Sequence, residues 1–477
     1  MKPKLLSFTR FSDQLLPHEG HYIARVQAFQ DEENQQIIHQ LVAYATDPDV
    51  CISFDEQIDK RKYSRIKNWV KQKLDAIDVD LQYEWITKME QQIMMDGITP
   101  QEENKLLRTI RNYEQPAYYF MKLYELAQHY QQFLLVRMRH KAHQEVHAFI
   151  LKHRASYQRS KAIYEQLHQA TVDITNQYSL SNTESNQWED WLKEIFWDDS
   201  VDGLNRYYAF IRLTFMHLNY RQFDKLVEIF QEIERLFQQG LCYSKRIMLN
   251  YYSNRLILHS KIGELDKATY YGYLSIRQRN ADFFHYVNNL CGVLLRRKKA
   301  GEALALMDRV KAEIKEISSS HTKVLYSALY IRCLIQNYQP EQAQKYAERF
   351  LRGYREEIFA QRWQTFFTSY FHALIVQEKY ETLVKIAGLQ KLFYKEKQAR
   401  LSQGYSPVLA WYIELARFKE GRITEKQFLA GLRETMTDQT IDPLKWERLC
   451  LTLDEMMPCA PAIIQKFKEE LSLTSTH

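Results

Sequence analysis

The chain has 477 residues, of which 45% are hydrophobic and 26% are charged, so it can bury a large core and is not a disordered polymer. It contains only 13 glycines and 10 prolines, far fewer than β-sandwiches, barrels and wound α/β folds need at their turns. We therefore expect an all-α fold. The net charge of +6 is small for this length and does not by itself indicate nucleic-acid binding.

The cysteines and the apolar segments indicate a cellular compartment. The six cysteines stand singly, without a CxxC pair, whereas paired spacing is typical of structural zinc sites and secreted disulfide frameworks. We therefore expect free thiols in a reducing compartment. The apolar stretch within residues 1–10 is too short for a signal peptide, and no apolar run reaches the length of a membrane-spanning helix, about 18 residues. The sequence predicts a cytoplasmic protein without a membrane segment.

The first part of the chain, residues 1–180, is predicted to form irregular helices. Apolar side chains recur at helical spacing in residues 31–44 and again in residues 55–77, which is typical of helices with one buried face. Thr99 is a predicted N-cap, and Glu102 completes a capping box with it. The sequence therefore predicts an all-helical N-terminal region.

This region ends with a long stretch that contains no helix breaker, followed by a polar segment. Residues 117–177 contain neither glycine nor proline, so we expect a pair of stacked helices whose joint carries no helix breaker. The polar stretch 178–186 follows and is the best candidate for an internal boundary. We predict two domains, an all-helical region at 1–180 and helical repeats with C-terminal capping helices at 200–477.

The second part of the chain repeats a helical hairpin. Three segments read KIGELDKATYYGYL, RRKKAGEALALMDRV and QNYQPEQAQKYAERF. Each places a turn shortly before a small residue, Ala268, Ala303 or Ala343. A small side chain at this position lets the second helix of a pair pack closely against the first. Weaker copies occur at 217–230 and 377–389, and equivalent positions are 42, 35, 40 and 40 residues apart.

This pattern resembles the tetratricopeptide (TPR) superfamily, whose units are helix-turn-helix pairs of about 34 residues. The resemblance covers roughly residues 204–436, and the unit with Gly263 and Ala268 carries the motif best. It implies a right-handed solenoid of helical hairpins, preceded by the irregular helical N-terminal region. Terminal helices, to about Leu471, would cover the open end of the stack.

The resemblance also implies a binding surface. In TPR-like proteins the first helices of the hairpins line a concave groove that receives a peptide or a protein. The corresponding positions in two units of this sequence are Asn250, Ser253, Ile257, Lys261, His285, Asn288 and Arg296. Ser253 and Ile257 stand where chaperone-binding TPRs have the lysine and asparagine that hold a carboxylate, so we do not expect that ligand.

Tyrosine is unusually common, with 32 residues and local groups such as Tyr118-Tyr119 and Tyr251-Tyr252. Tyrosine provides a large amphipathic contact area at a low entropy cost, which suits peptide grooves. Helical repeats also need aromatic side chains in their cores, so we expect at least half of these tyrosines to be packing residues.

The densest positive run lies between Arg137 and Lys161, which holds seven Lys/Arg residues and one glutamate. Counterion release makes such a run a candidate for phosphate contacts. The candidate basic patch consists of Arg137, Arg139, Lys141, Lys152 and Arg154. Within the run, His143 and His147 share a helix face, but Glu145 is misplaced for an HExxH zinc site, and we predict no metal.

Enzyme motifs are absent from the sequence: there is no GxGxxG, P-loop or GxSxG motif. We therefore expect a non-enzymatic scaffold or adaptor, without a cofactor, that binds a protein or peptide partner in the groove. One alternative is a signal-responsive regulator that joins a DNA-binding head to TPR-like repeats. Another is a helical nucleic-acid-binding protein that uses residues 137–161.

Overall fold

The computed structural model describes residues 5–47, 54–113, 117–180, 185–400, 405–436 and 443–474. The regular structure within these ranges is helical, and they contain no β-strand, which confirms the predicted all-α class. The chain divides into two compact units, Met1–Asn254 and Arg255–His477. The polar stretch 178–186, predicted as a boundary, lies partly outside the described residues.

Within its described residues, the first unit contains eleven α-helices and most of a twelfth. Their bounds are α1 Leu6–Ser12, α2 Pro17–Val26, α3 Glu32–Thr46, α4 Lys60–Ile77, α5 Val79–Met94, α6 Pro100–Arg111, α7 Phe120–Val136, α8 His140–Leu180, α9 Glu189–Trp197, α10 Gly203–Asn219, α11 Phe223–Gln238 and α12 Lys245–Lys261. Helices α3 and α4 contact each other and both contact α1 and α2, and α5, α6, α7 and the start of α8 enclose a shared apolar core. The helix α8 also contacts α10, which packs between α9 and α11.

The second unit contains the end of α12 and thirteen further α-helices within the described residues. These are α13 Leu265–Ser275, α14 Phe283–Arg296, α15 Ala300–Val310, α16 Ser320–Gln336, α17 Pro340–Gly353, α18 Arg355–Glu357, α19 Trp363–Ile375, α20 Tyr380–Leu389, α21 Leu392–Ala399, α22 Val408–Lys419, α23 Glu425–Glu434, α24 Pro443–Met456 and α25 Pro461–Thr474. A short π-helical segment, Ile358–Arg362, joins α18 to α19.

The local signals of the N-terminal region are confirmed. Thr99 caps α6, since its hydroxyl oxygen accepts the N–H of Glu102 at 3.4 Å while the Glu102 carboxylate accepts the N–H of Thr99 at 3.2 Å. The glycine-free stretch forms two helices, α7 and α8. Their joint contains Met138, a non-glycine residue with φ of 55°. The chain therefore turns there without the residue that normally marks a turn.

Six hairpins between residues 203 and 434 share one turn at the end of their first helix. One residue adopts a left-handed conformation, and the next N–H donates to the carbonyl five residues earlier, at 2.9 Å in all six cases. This is the C-terminal cap known as the Schellman motif. The left-handed residues are Arg221, Gly263, Lys298, Tyr338, Glu378 and Gly421. Only two of the six are glycines, which explains how the chain makes these turns with so little glycine.

Helices of the second unit contact their neighbours in chain order. From α14 onward, the two helices of each hairpin contact each other, and from α13 onward each second helix contacts the first helix of the next hairpin. The first helices α14, α16, α19 and α22 also contact one another in sequence. The last two helices extend this order, because α24 contacts α22 and α25 contacts α23.

Small residues allow the helices of each hairpin to approach closely. Ala268, Ala303 and Ala343 are fully buried, each at 0% exposure. Gly272 lies in the interior of α13, where a Cβ atom would come within 2.7 Å of the Cδ1 atoms of both Leu256 and Leu290. The glycine therefore lets α13 pack against the leucines of α12 and α14.

Two glycines in neighbouring helices test this close packing. Gly292 of α14 has no atom within 4 Å of the position of an added Cβ, so Gly292→Ala should raise the free energy of unfolding by about 0.5–1 kcal/mol through helix propensity. Gly272→Ala gains the same propensity but displaces two buried leucines, and it should destabilise the protein by about 1 kcal/mol. Urea unfolding measures both. Equal stabilisation by the two substitutions would contradict the packing described here.

Candidate partner-binding surface

The predicted groove residues divide between the two units. Asn250 and Ser253 belong to the first unit, on α12. Ser253 is only 2% exposed, so its side chain is not at the surface. Asn250 is half-buried, and its side-chain oxygen accepts a hydrogen bond from Asn254 at 3.1 Å.

Four of the remaining predicted residues differ in accessibility. Ile257 packs partly buried against the apolar core of the second unit, and Lys261 is half-buried. His285 is exposed on α14. Asn288 is 2% exposed, and its amide donates to the carbonyl of Thr322 at 3.1 Å. Asn288 thus connects α14 to the first turn of α16, which gives it a structural role.

Arg296, the last predicted groove residue, connects three helices of the second unit. Its Nη1 donates to the carbonyl and the hydroxyl oxygen of Ser260, at 2.7 and 2.9 Å. Its Nη2 lies 3.4 Å from the carboxylate of Glu447 on α24. An acidic side chain from the C-terminal part of the chain therefore already contacts the predicted groove.

A second acidic residue of α24, Glu455, contacts three first helices. Its carboxylate accepts the hydroxyl of Tyr412 on α22 at 2.6 Å. The same carboxylate lies 3.8 Å from Nδ1 of His372 on α19 and 4.0 Å from Nη2 of Arg332 on α16. We call Arg296, Arg332, His372, Glu447 and Glu455 the inner charge cluster. It shows that the first helices of three consecutive hairpins present side chains to α24.

Burial governs the protonation of His372 and of Tyr412, which both face Glu455. Desolvation lowers the pKa of His372; the positive charge of Arg332 lowers it further, and the carboxylate of Glu455 opposes the shift. Burial and the same carboxylate raise the pKa of Tyr412 well above its usual range. Tyr412 is therefore a neutral phenol that donates a hydrogen bond to Glu455.

A histidine and an arginine meet near the start of α16. Nε of Arg362 lies 2.8 Å from Nε2 of His321. Desolvation is the largest cause that lowers the pKa of His321, to about 4, and the charges of Arg362 and His285 add to it. His321 is thus a neutral acceptor for the guanidinium at neutral pH.

The candidate basic patch is partly neutralised by carboxylates of the first unit. Arg137 forms an ion pair with Asp96 at 2.6 Å, and Arg139 forms one with Glu103. Lys141, Lys152 and Arg154 are exposed and form no ion pair within the described residues. Only part of the predicted patch therefore carries uncompensated charge.

The uncompensated cations lie on different sides of α8. Lys141 and Lys152 are eleven residues apart, about three turns, so they share a side. Arg154 is rotated about 200° from Lys152 around the helix axis. Buried side chains, among them Val146 and Ile150, occupy the face between the two positions. The basic run is therefore not a single continuous face.

The histidines of the basic run do share a face, as predicted. The rings of His143 and His147 stack with centroids 5.8 Å apart, and Nδ1 of His147 lies 2.7 Å from the side-chain amide nitrogen of Gln131. Within the described part of the chain, no three His, Cys, Asp or Glu side chains are grouped to hold a metal ion.

Five cysteines, Cys242, Cys291, Cys333, Cys450 and Cys459, are free thiols, which confirms for these residues the prediction that they are unpaired. Cys51 lies outside the described residues. Among the described helices, none combines the length and the apolar composition that a bilayer crossing requires.

Comparison with known proteins does not assign a family. No protein-family model matches the sequence, and no curated protein is significantly similar to it.

The inner charge cluster would have been difficult to find from sequence. Glu447 and Arg296 are separated by 151 residues, and no local pattern connects them. A weak signal was present, since Arg332 and His372 each stand six residues before the left-handed residue of their turn. Equivalent positions in successive repeats can be read from the alignment of the turns, but the acidic partner on α24 cannot.

The Tyr412 hydrogen bond has a measurable effect on stability. Tyr412→Phe should lower the free energy of unfolding by about 1–2 kcal/mol, because a hydrogen bond to a carboxylate is lost in a buried site. Tyr338→Phe is the control, since that side chain is 95% exposed, and it should change stability by less than about 0.5 kcal/mol. Urea unfolding measures both variants, and similar losses in the two would contradict the geometry.

The lowered pKa of His321 predicts a pH dependence. The folded chain takes up this proton near pH 4, whereas the unfolded chain takes it up near the ordinary value of about 6.5. The contribution of neutral His321 to the free energy of unfolding is therefore complete above pH 6.5, and it is lost as the pH falls toward 4. His321→Gln should reduce the loss of stability between pH 7 and pH 5, measured by urea unfolding. His168→Gln, at an exposed position of α8, is the control, and equal pH slopes for the two variants would be evidence against the assignment.

Proposed function

We propose that the chain is a non-enzymatic scaffold or adaptor whose TPR-like hairpins form a right-handed solenoid. In this proposal a peptide or protein partner binds to the surface of the first helices, near the inner charge cluster. The free thiols of the described cysteines support a reducing compartment, and we propose the cytoplasm.

The repeated turn is the observation that carries the proposal. Six hairpins reverse direction through the same 2.9 Å hydrogen bond, at intervals close to those of the sequence repeat. In the second unit, helices contact their neighbours in chain order, which is how stacked repeats bury surfaces that single hairpins cannot. Stacks of this kind serve mainly as binding surfaces, since their first helices form a continuous face.

The surface of the first helices offers chemistry suited to a protein partner. Leu325 and Leu329 are partly exposed on α16, and Val376 is 50% exposed after α19. Arg332 lies on the same helix as the two leucines, and His372 lies one turn before Val376. A mixture of apolar contact area and oriented charge is typical of peptide-binding surfaces, where apolar groups contribute affinity and charges contribute specificity.

The nucleic-acid alternative has less support from the described residues. Two of the five patch residues form ion pairs, and the others lie on different sides of α8. A phosphate backbone is followed best by a continuous row of uncompensated cations. Binding of nucleic acid through residues 137–161 stays a prediction.

Site-specific crosslinking in the full chain tests the proposed function. A photoreactive amino acid at His285 or Val376, on the first-helix side, should crosslink the same partner protein in cells. The matched control is Lys345, exposed on α17, the second helix of its hairpin, which should not crosslink that partner. The additional substitution Arg332→Glu should reduce the crosslink at Val376 at least tenfold. A partner recovered equally from all three positions, or from Lys345 alone, would contradict the proposal.

A further inference from the structure

A cavity in the first unit is walled by tyrosines. It has a volume of about 520 Å³ and lies among α5, α7, α8, α10 and the start of α12. Six tyrosines line it: Tyr83, Tyr118, Tyr119, Tyr164, Tyr207 and Tyr208. Its volume is within the range of small-molecule sites, about 300–1,000 Å³.

The six rings form a continuous row around the cavity. Taken in the order Tyr83, Tyr119, Tyr118, Tyr207, Tyr208 and Tyr164, successive ring centroids are 4.9, 4.7, 6.4, 6.5 and 6.1 Å apart. These separations are those of aromatic pairs in contact. A planar aromatic ligand can therefore lie against several ring faces or edges at once.

Tyr118 is a buried part of the cavity wall. The residue is 6% exposed, and within the described residues its hydroxyl, which is closed off from solvent, has no hydrogen-bond partner. Desolvation raises the pKa of Tyr118, so the hydroxyl keeps its proton. Gly203 leaves room for the ring, since a Cβ there would lie 2.8 Å from Cδ2 of Tyr118. Tyr118 therefore contributes its ring, and not its hydroxyl, to the cavity.

Most charged groups around the cavity are already satisfied by neighbours. Lys122 pairs with Glu125 at 2.6 Å, and Arg246 pairs with Asp80 at 2.8 Å. Asp202 accepts hydrogen bonds from the backbone and the side chain of Asn205, at 3.1 and 2.8 Å. These groups therefore form the wall and are not available to hold a charged ligand.

Two charged residues of the lining remain, Lys161 and Glu165. Both are exposed on α8, and neither forms an ion pair within the described residues. They are four residues apart, which places their Cβ atoms about 5–6 Å from each other on one helix face. The rim of the cavity thus presents one positive and one negative group, side by side.

We propose that this cavity binds a small aromatic zwitterion, the chemical class of the aromatic α-amino acids. The aromatic ring lies against the row of tyrosines, the carboxylate faces Lys161 and the ammonium group faces Glu165. This site belongs to the first unit and does not depend on partner binding by the second.

Four compounds with the same indole ring test the contribution of each ligand charge to binding. Tryptophan carries both charges, indole-3-acetate carries the carboxylate, tryptamine carries the ammonium group, and indole carries neither. Isothermal titration calorimetry with the full chain should show tryptophan binding most tightly. Loss of either charge should weaken binding roughly tenfold, as expected for a charge-assisted hydrogen bond. Alanine, a zwitterion without the ring, should not bind detectably.

Two substitutions test which residue contacts the carboxylate of the ligand and which contacts its ammonium group. Lys161→Gln should bring tryptophan close to the affinity of tryptamine, and Glu165→Gln should bring it close to that of indole-3-acetate. Lys152→Gln, exposed on the same helix but outside the lining, should leave all affinities unchanged.

The proposal is overturned if tryptophan does not bind at millimolar concentration. It is also overturned if tryptophan and indole bind equally, or if Lys161→Gln and Glu165→Gln leave the order of affinities unchanged.

Discussion

The architecture depends on one backbone hydrogen bond, the 2.9 Å contact that closes the first helix of each hairpin. It requires one residue in the left-handed region, and in four of the six hairpins this residue is not glycine. A left-handed non-glycine residue costs about 1–2 kcal/mol. The cost is offset because the turn satisfies helix-end carbonyls and directs the second helix back onto the first. The buried alanines and Gly272 then set how closely the two helices pack.

Local physics made much of the fold predictable from sequence. The scarcity of glycine and proline indicated helices, the capping box at Thr99 is present, and the spacing of Ala268, Ala303 and Ala343 located the second helices of three hairpins. The sequence predicts a joint between α7 and α8, but it does not predict the position of the joint, because Met138 is not a residue typical of turns. Left-handed residues such as Lys298 and Glu378 were missed for the same reason: their conformation is imposed by the hydrogen-bonded turn and not by the side chain.

The sites were less predictable because they depend on contacts between distant parts of the chain. Arg296 could be assigned to the first-helix surface from the repeat, but its contact with Glu447 arises only when α24 takes its place in the fold. The basic run looked continuous in sequence, but Lys152 and Arg154 lie about 200° apart around the axis of α8. The tyrosine-walled cavity combines side chains from residues 83 to 246, and only its Tyr118-Tyr119 and Tyr207-Tyr208 pairs are neighbours in the sequence.

The left-handed turn can be tested directly at Tyr338, whose side chain is 95% exposed and makes little packing contribution. Tyr338→Gly should raise the free energy of unfolding by about 0.5–1 kcal/mol, because glycine adopts this conformation without steric cost. The control Gln336→Gly, at an exposed position two residues earlier in α16, should lower it by about 1 kcal/mol. Urea unfolding of the two variants gives the answer. Stabilisation at position 338 with destabilisation at position 336 is the predicted result, and destabilisation at both positions would contradict the account of the hairpins.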